Sequence, residues 1–134
     1  MANAFYDNGL DQFANGNVDW VNDTIKCVLV DSASYTPNTA TDANLDDVPG
    51  GARISTQTLA GKSTSAGVLD ASDITFSSVA AGTYEYLVIY KDSGVESTST
   101  LLMLIDTATG LPVTASGNDI DVTWDDGANK IAKL

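Results

Sequence analysis

Hydrophobic positions follow the two-residue period of β-strands most clearly between residues 83 and 107. Two apolar runs in this stretch are joined by a polar turn at 91–94, which contains Gly94. The second run, 101–105, is apolar at every position. In the first run one set of alternate positions is wholly apolar and the other is mixed; they are Tyr84, Tyr86, Val88 and Tyr90, and Glu85, Leu87, Ile89 and Lys91. Side chains of a strand alternate between faces, so a run that is apolar at both parities is covered on both sides. The pattern predicts a central hairpin with which other strands pair.

Shorter segments of the same kind predict the rest of the fold. Polar clusters rich in glycine, asparagine and aspartate separate them, and no segment predicts a helix of more than about three turns. We expect about eight short strands in total, which favours an all-β, single-domain antiparallel β-sandwich or flattened barrel. The main strands are predicted at 24–31, 52–59, 83–91, 98–106 and 119–125.

Residues 1–17 have a different pattern from the rest of the chain. Their apolar side chains fall near helical spacing, with Gly16 placed to end a short helix. We therefore divide the chain into an N-terminal arm, 1–17, and a β-sandwich domain, 18–134. Interfaces concentrate their binding energy in a few aromatic and apolar anchors, so we expect the arm to dock on a partner protein. The alternative is that the arm folds back as a lid over its own domain. The anchor residues would be Phe5, Tyr6, Leu10 and Phe13.

A polar loop over 31–44 follows the first strand and contains Tyr35 and Pro37. Loops of this length inside a compact domain are commonly functional or bound by a partner. We expect the loop and its acidic continuation to contact a partner protein or a sister subunit. The acidic residues involved would be Asp42, Asp46 and Asp47.

The same acidic segment partly matches a calcium-binding loop. Asp42, Asn44 and Asp46 have the spacing of the first half of an EF-hand loop. The sixth position is Asp47 where glycine is needed, and the twelfth is Arg53 where a bidentate glutamate is needed. An irregular site for a hard cation and a solvated acidic loop remain as alternatives, and no metal is predicted.

Composition and charge exclude several classes of partner. A chain of 134 residues is expected to form one domain, and its six basic residues are scattered against 18 acidic ones, for a net charge of −12. This balance argues against nucleic acid and against anionic membrane surfaces. No apolar run approaches the ~20 residues of a membrane span, and the N-terminus does not resemble a secretory signal. The single cysteine, Cys27, is expected to be a small buried hydrophobic residue.

The residues offer little for catalysis. The chain has no histidine, so Ser-His-Asp and Cys-His arrangements are excluded, and no glycine-rich phosphate-binding motif is present. Adjacent carboxylates at 46–47 and 125–126 could in principle perform glycosidase-type chemistry, but adjacent acids on turns are usually solvated. We predict no catalytic residue, no cofactor and no enzymatic activity.

Four features follow one another in the N-terminal quarter: the aromatic arm, a Gly-Asn-Val-Asp-Trp turn at 16–20, a strand containing Ile-Lys at 23–30, and Tyr35. This order resembles a group of small proteins encoded among the virion structural genes of tailed bacteriophages. In that group an aromatic arm is followed by a Gly-x-(Val/Ile)-(Asp/Asn)-(Trp/Leu) turn, a similar strand and a tyrosine. Further similarity lies at 45–48, 70–76, 86–92 and 119–122, so the resemblance touches most of the chain.

The resemblance implies a place in the virus particle. The first interpretation is a capsid decoration (cement) protein on the outer surface of the head, which binds the major capsid protein lattice and stabilises it. The alternative is a tail, neck or fibre-attachment subunit. In either case the partner is the major capsid protein or another virion protein, a homo-oligomer is expected, and synthesis takes place in the host bacterial cytoplasm. A decoration protein would be present in hundreds of copies and a neck protein in about a dozen.

Overall fold

The protein folds into antiparallel β-sheets with one short α-helix, as a computed structural model shows. The structure describes residues 3–106, 111–125, 127–128 and 130–134. Short 3₁₀ turns lie at Leu45–Asp47, Gly50–Ala52 and Glu96–Thr98. The elements in chain order are β1 (Ala4–Phe5), α1 (Asp7–Ala14), β2 (Ile25–Val30), β3 (Arg53–Thr58), β4 (Ser63–Ser65), β5 (Val68–Asp70), β6 (Ile74–Phe76), β7 (Gly82–Tyr84), β8 (Tyr86–Lys91), β9 (Thr100–Ile105), β10 (Val113–Ala115), β11 (Ile120–Val122) and β12 (Ala132–Lys133).

A five-stranded sheet forms the centre of the fold, in the order β1-β9-β8-β2-β3. Strands β2 and β8 pair in register over six residues, from Ile25 opposite Lys91 to Val30 opposite Tyr86. All side chains of β9 from Leu101 to Ile105 are buried. A run that is apolar at both parities therefore does lie between two covering layers, as its sequence predicts.

Smaller sheets cover one face of the central sheet. They are β7 with β10, β6 with β11, and the three strands β4, β5 and β12. Their apolar side chains meet Cys27, Leu29 and Ile89 of the central sheet in a single cluster, in which Trp20 and Phe76 are also buried. The indole N–H of Trp20 donates to the carbonyl of Asp70 at 3.0 Å, so this tryptophan is tied into the layer.

Loop segments and the N-terminal arm cover the opposite face. Val28, Val88 and Leu104 of the sheet lie in a second buried cluster with Tyr6 and Tyr35. Leu45, Val48 and Ala52, which come from the 3₁₀ segments, complete the cluster. The long polar loop therefore forms one wall of the core.

The outer edge of β9 is closed by two separate segments. Ala4 and Phe5 pair with Leu104 and Met103, and the N–H of Tyr6 donates to the carbonyl of Leu102 at 3.0 Å. Further along the same edge, the N–H of Leu101 donates to the carbonyl of Ala43 at 3.0 Å. The arm thus adds β1 to the central sheet and packs α1 against β9, a strand from the far part of the chain.

The all-β antiparallel fold and the main strand positions are confirmed. The longest helix in the described part is the eight-residue α1, within the predicted limit of three turns. Twelve strands are described where about eight were expected. The predicted strand 83–91 forms two strands, β7 and β8, and β1 and β10 lie outside the predicted strands. The sheets are open, so the barrel alternative does not apply.

The central hairpin is confirmed, and its connection is longer than the polar turn at 91–94. The connection between β8 and β9 runs over 92–99 and includes the 3₁₀ turn at Glu96–Thr98. The buried hydroxyl of Ser99 donates to the carbonyl of Val95 at 2.8 Å and accepts the N–H of Ser93 at 3.0 Å. These side-chain hydrogen bonds stabilise a longer connection than the four-residue turn that Gly94 suggested.

Candidate functional site

The four predicted anchor residues of the arm lie in different environments. Tyr6 is fully buried and Phe5 is half-buried against its own core, so both side chains serve the domain in this conformation. Leu10 and Phe13 lie one helical turn apart on α1, where Leu10 is 41% exposed and Phe13 is half-buried. Phe13, like Phe5, packs partly against the core of its own domain, so Leu10 is the predicted anchor that is most open to a partner.

Tyr6 and the loop residue Tyr35 meet inside the domain. Their hydroxyls lie 2.9 Å apart, and the hydroxyl of Tyr35 also donates to the carboxylate of Asp42 at 2.7 Å. Burial raises the pKa of both phenols well above the usual tyrosine value. Tyr35 therefore positions the loop on its own sheet, while Pro37 beside it is half-buried.

The loop carboxylates are engaged mainly with the loop's own backbone. Asp42 accepts the N–H of Asn38 at 2.9 Å, in addition to the bond from Tyr35. Asp47 accepts the N–H groups of Ala43 and Asn44 at 2.7 and 3.1 Å, and so caps the start of the 3₁₀ turn Leu45–Asp47 to which it belongs. Asp46 is exposed. The carboxylates of Asp42 and Asp47, two of the candidate cation ligands, thus accept hydrogen bonds from backbone N–H groups. This arrangement is typical of a loop with a structural role.

Of the two carboxylate pairs considered for catalysis, the structure describes both members of 46–47 and only the first member of 125–126. Asp47 caps a turn beside exposed Asp46, and Asp126 lies outside the described residues. In the part of the chain that is described, no group of three or more His, Cys, Asp or Glu side chains is close enough to hold a metal ion. Cys27 is buried, and burial raises the pKa of its thiol.

An open apolar depression lies between helix α1 and the last residue of the sequence. Its walls are Leu10, Phe13, Ala14 and Leu134. Phe13 and Leu134 also border a second depression that continues along Val18, Trp20 and Leu69. Because the two depressions share these residues, we treat them as one surface and call it the apolar groove.

The groove exposes side chains that normally avoid water. Leu134 is 53% exposed and Leu10 is 41% exposed. Sequence reasoning found Leu10 and Phe13 but missed Leu134, because that residue lies at the opposite end of the sequence and carries no local signal. The α-helix brings Leu10, Phe13 and Ala14 to one side, since residues three and four apart are neighbours on a helix.

The domain has a net charge of −12, and it uses most of its cations internally. Lys26 pairs with Asp92 at 2.9 Å, Arg53 with Glu96 at 2.8 Å, and Lys91 with Asp23 at 3.1 Å. Lys62 donates to the carbonyl of Asp23. Four of the six basic residues are therefore bound by their own domain.

Two of the ion pairs shift the pKa values of their carboxyl groups in the expected direction. Hydrogen bonding to Lys26 holds the pKa of Asp92 below its usual value, and hydrogen bonding to Arg53 does the same for Glu96. Arg53 also donates to the carbonyl of Val48 at 3.1 Å, so it joins β3 to two loops. The Lys26–Asp92 and Arg53–Glu96 pairs fix loops of the scaffold. The third pair adjoins the groove, because Asp23 also accepts the backbone N–H of the groove residue Asp19 at 2.7 Å.

Comparison with known proteins does not assign a family. The chain matches no protein-family model and no curated protein. Within the described ranges, no helix is long and apolar enough to cross a membrane. A functional assignment has to rest on the chemistry of the surface.

Proposed function

We propose that the protein is a structural protein of a bacteriophage virion, most consistent with a capsid decoration (cement) protein that binds the major capsid protein lattice. The observation that carries the proposal is the exposed apolar groove on the surface of an acidic β domain. The resemblance of the sequence to phage virion proteins supports the same interpretation. We further propose that the antiparallel sheets pack as a β-sandwich, with the central sheet as one of its layers.

Binding area is the physical basis of such a function. Each square ångström of apolar surface removed from water contributes about 25 cal/mol, and a few anchor side chains dominate the energy of an interface. A small groove gives modest affinity for one copy. A symmetric lattice multiplies the number of contacts, so many weakly bound copies can stabilise a shell together.

The same surface chemistry fits a tail, neck or fibre-attachment subunit, and copy number separates the two roles. Quantitative mass spectrometry of purified particles, calibrated on the major capsid protein, should find hundreds of copies of this chain in each particle. About a dozen copies would instead assign it to a neck or tail position. If the chain is missing from particles that carry all their other structural proteins, the virion assignment is wrong.

A further inference from the structure

The apolar groove has a consistent charge along one side. Asp7 and Asp11 are exposed on α1 and lie one helical turn apart, beside the strip formed by Leu10 and Ala14. Among the described residues, no lysine or arginine lies within ion-pair distance of either carboxylate. Along α1 the groove therefore has apolar side chains with two negative side chains beside them. On the other wall Lys133, which precedes Leu134, is exposed, and Thr64 lines the far part of the groove.

The far end of the groove has the same character. Asp19 lines it and accepts the side-chain amide of Asn22 at 2.8 Å and the backbone N–H of Asn22 at 3.1 Å. These hydrogen bonds hold the pKa of the Asp19 carboxyl below its usual range. Lys62 is close enough to contribute to this effect, so the negative charge is less complete here than along α1.

We propose that the apolar groove binds a segment of a partner protein in which leucine or aromatic side chains stand between lysine or arginine residues. The apolar side chains would lie against Leu10, Phe13 and Leu134, and the cations would face Asp7 and Asp11. A second copy of this chain would place a net charge of −12 against the same rim, which disfavours self-association through the groove. The inference deepens the proposed function and rests on it only for the identity of the partner as a virion protein.

A synthetic peptide tests the groove without any virus particle. The probe has two leucines between two pairs of lysines, with acetylated and amidated ends. Titrated into the ¹⁵N-labelled full chain, it should shift the amide resonances of α1, of 16–21 and of Leu134. A peptide with glutamates for the lysines should give no such shifts, and one with serines for the leucines should bind at least about fivefold more weakly.

Matched substitutions separate the groove from general surface effects. Leu10→Ser should weaken binding of the leucine–lysine peptide by about fivefold or more, while Val95→Ser, at a more exposed site on the 92–99 connection, should not. Asp11→Asn should weaken it and reduce its salt dependence, while Asp46→Asn in the acidic loop should leave both unchanged. Far-UV circular dichroism of each variant checks that the fold is retained.

Three outcomes would overturn the inference. They are shifts located at the 31–47 loop in place of the groove, equal binding of the lysine and glutamate peptides, and groove shifts that appear on concentrating the protein alone. Particle binding distinguishes this inference from the proposed function. If the natural chain joins particles and Leu10→Ser joins them equally well, the groove assignment fails and the function stands. If the peptide binds in the groove but the chain joins no particle, the function fails and the groove stands.

Discussion

At the scale of single residues, the pair Tyr6 and Tyr35 joins the N-terminal arm to the long loop. The phenol of Tyr35 donates to Asp42, which leaves its oxygen free to accept the proton of Tyr6. Tyr6→Phe leaves the Tyr35–Asp42 bond intact and should cost about 0.5–1.5 kcal/mol. Tyr35→Phe leaves the buried hydroxyl of Tyr6 without its partner and should cost more, about 1–3 kcal/mol. Urea unfolding of both variants measures the difference, and equal costs would contradict this direction of donation.

The same phenols predict how stability depends on pH. Burial raises the folded-state pKa of Tyr6 and Tyr35, whereas tyrosines of the unfolded chain titrate near pH 10. Their contribution is fully present below about pH 10 and is lost as pH rises, because only the unfolded chain can release these protons easily. The urea midpoint should therefore fall between pH 9 and pH 11, and less steeply in Tyr6→Phe. A midpoint that stays constant to pH 11 would show that these phenols are not buried in solution.

At the scale of elements, the close approach of α1 to β9 depends on Gly9. A Cβ atom at this position would lie 2.6 Å from the carbonyl oxygen of Leu101 and 2.9 Å from the Cα of Leu102. Both contacts are with backbone, which cannot move aside cheaply. Gly9→Ala should therefore destabilise the protein by about 1 kcal/mol or more, although alanine is the better helix former.

Gly51 provides the matched control for Gly9. It has an ordinary φ, and a Cβ there would meet nothing within 4 Å. Gly51→Ala should be neutral or stabilising by up to about 1 kcal/mol. Thermal unfolding of the two variants gives the comparison. A Gly9→Ala protein as stable as the parent would mean that α1 does not pack on β9 in solution.

The elements differ in how far the sequence predicts them. Strands β2, β8 and β9 were predictable because continuous apolar runs have few other stable arrangements than the middle of a sheet. The covering of the second face was not, because Tyr35, Leu45 and Val48 are spaced without a period. Each reaches the sheet singly from a loop, and local patterns carry no information about such contacts. Within the loop, Tyr35 is buried against its own sheet, and the predicted contact of the loop with a partner stays a prediction.

At the scale of the whole molecule, the central sheet is buried on both faces by segments distant in sequence. On one face the indole N–H of Trp124 donates to the carbonyl of Ser72 at 3.0 Å. On the other face Tyr6 and Tyr35 belong to the second buried cluster. A core with two halves that share one sheet should unfold cooperatively. The arm is part of that core through Tyr6, and it also carries Leu10 and Phe13 of the apolar groove. The two predicted alternatives therefore apply to different residues of the arm. Tyr6 packs on its own domain, as the lid alternative expects, whereas Leu10 and Phe13 border the groove, as the anchor alternative requires. The sequence alone could not decide between the two alternatives.

Removing the arm separates its two roles. Deletion of residues 2–13 removes Tyr6 from the second cluster and exposes the paired edge of β9, so we expect a loss of more than about 3 kcal/mol and a melting temperature lower by about 10 °C or more. The double variant Leu10→Ser, Phe13→Ser should lose far less stability, because Leu10 is exposed and Phe13 is only half-buried. If the deletion melts with the parent protein, the arm does not belong to the core. If the double variant melts as low as the deletion, the outer face of α1 is needed for folding, and its exposed leucine then requires a structural explanation in place of a binding one.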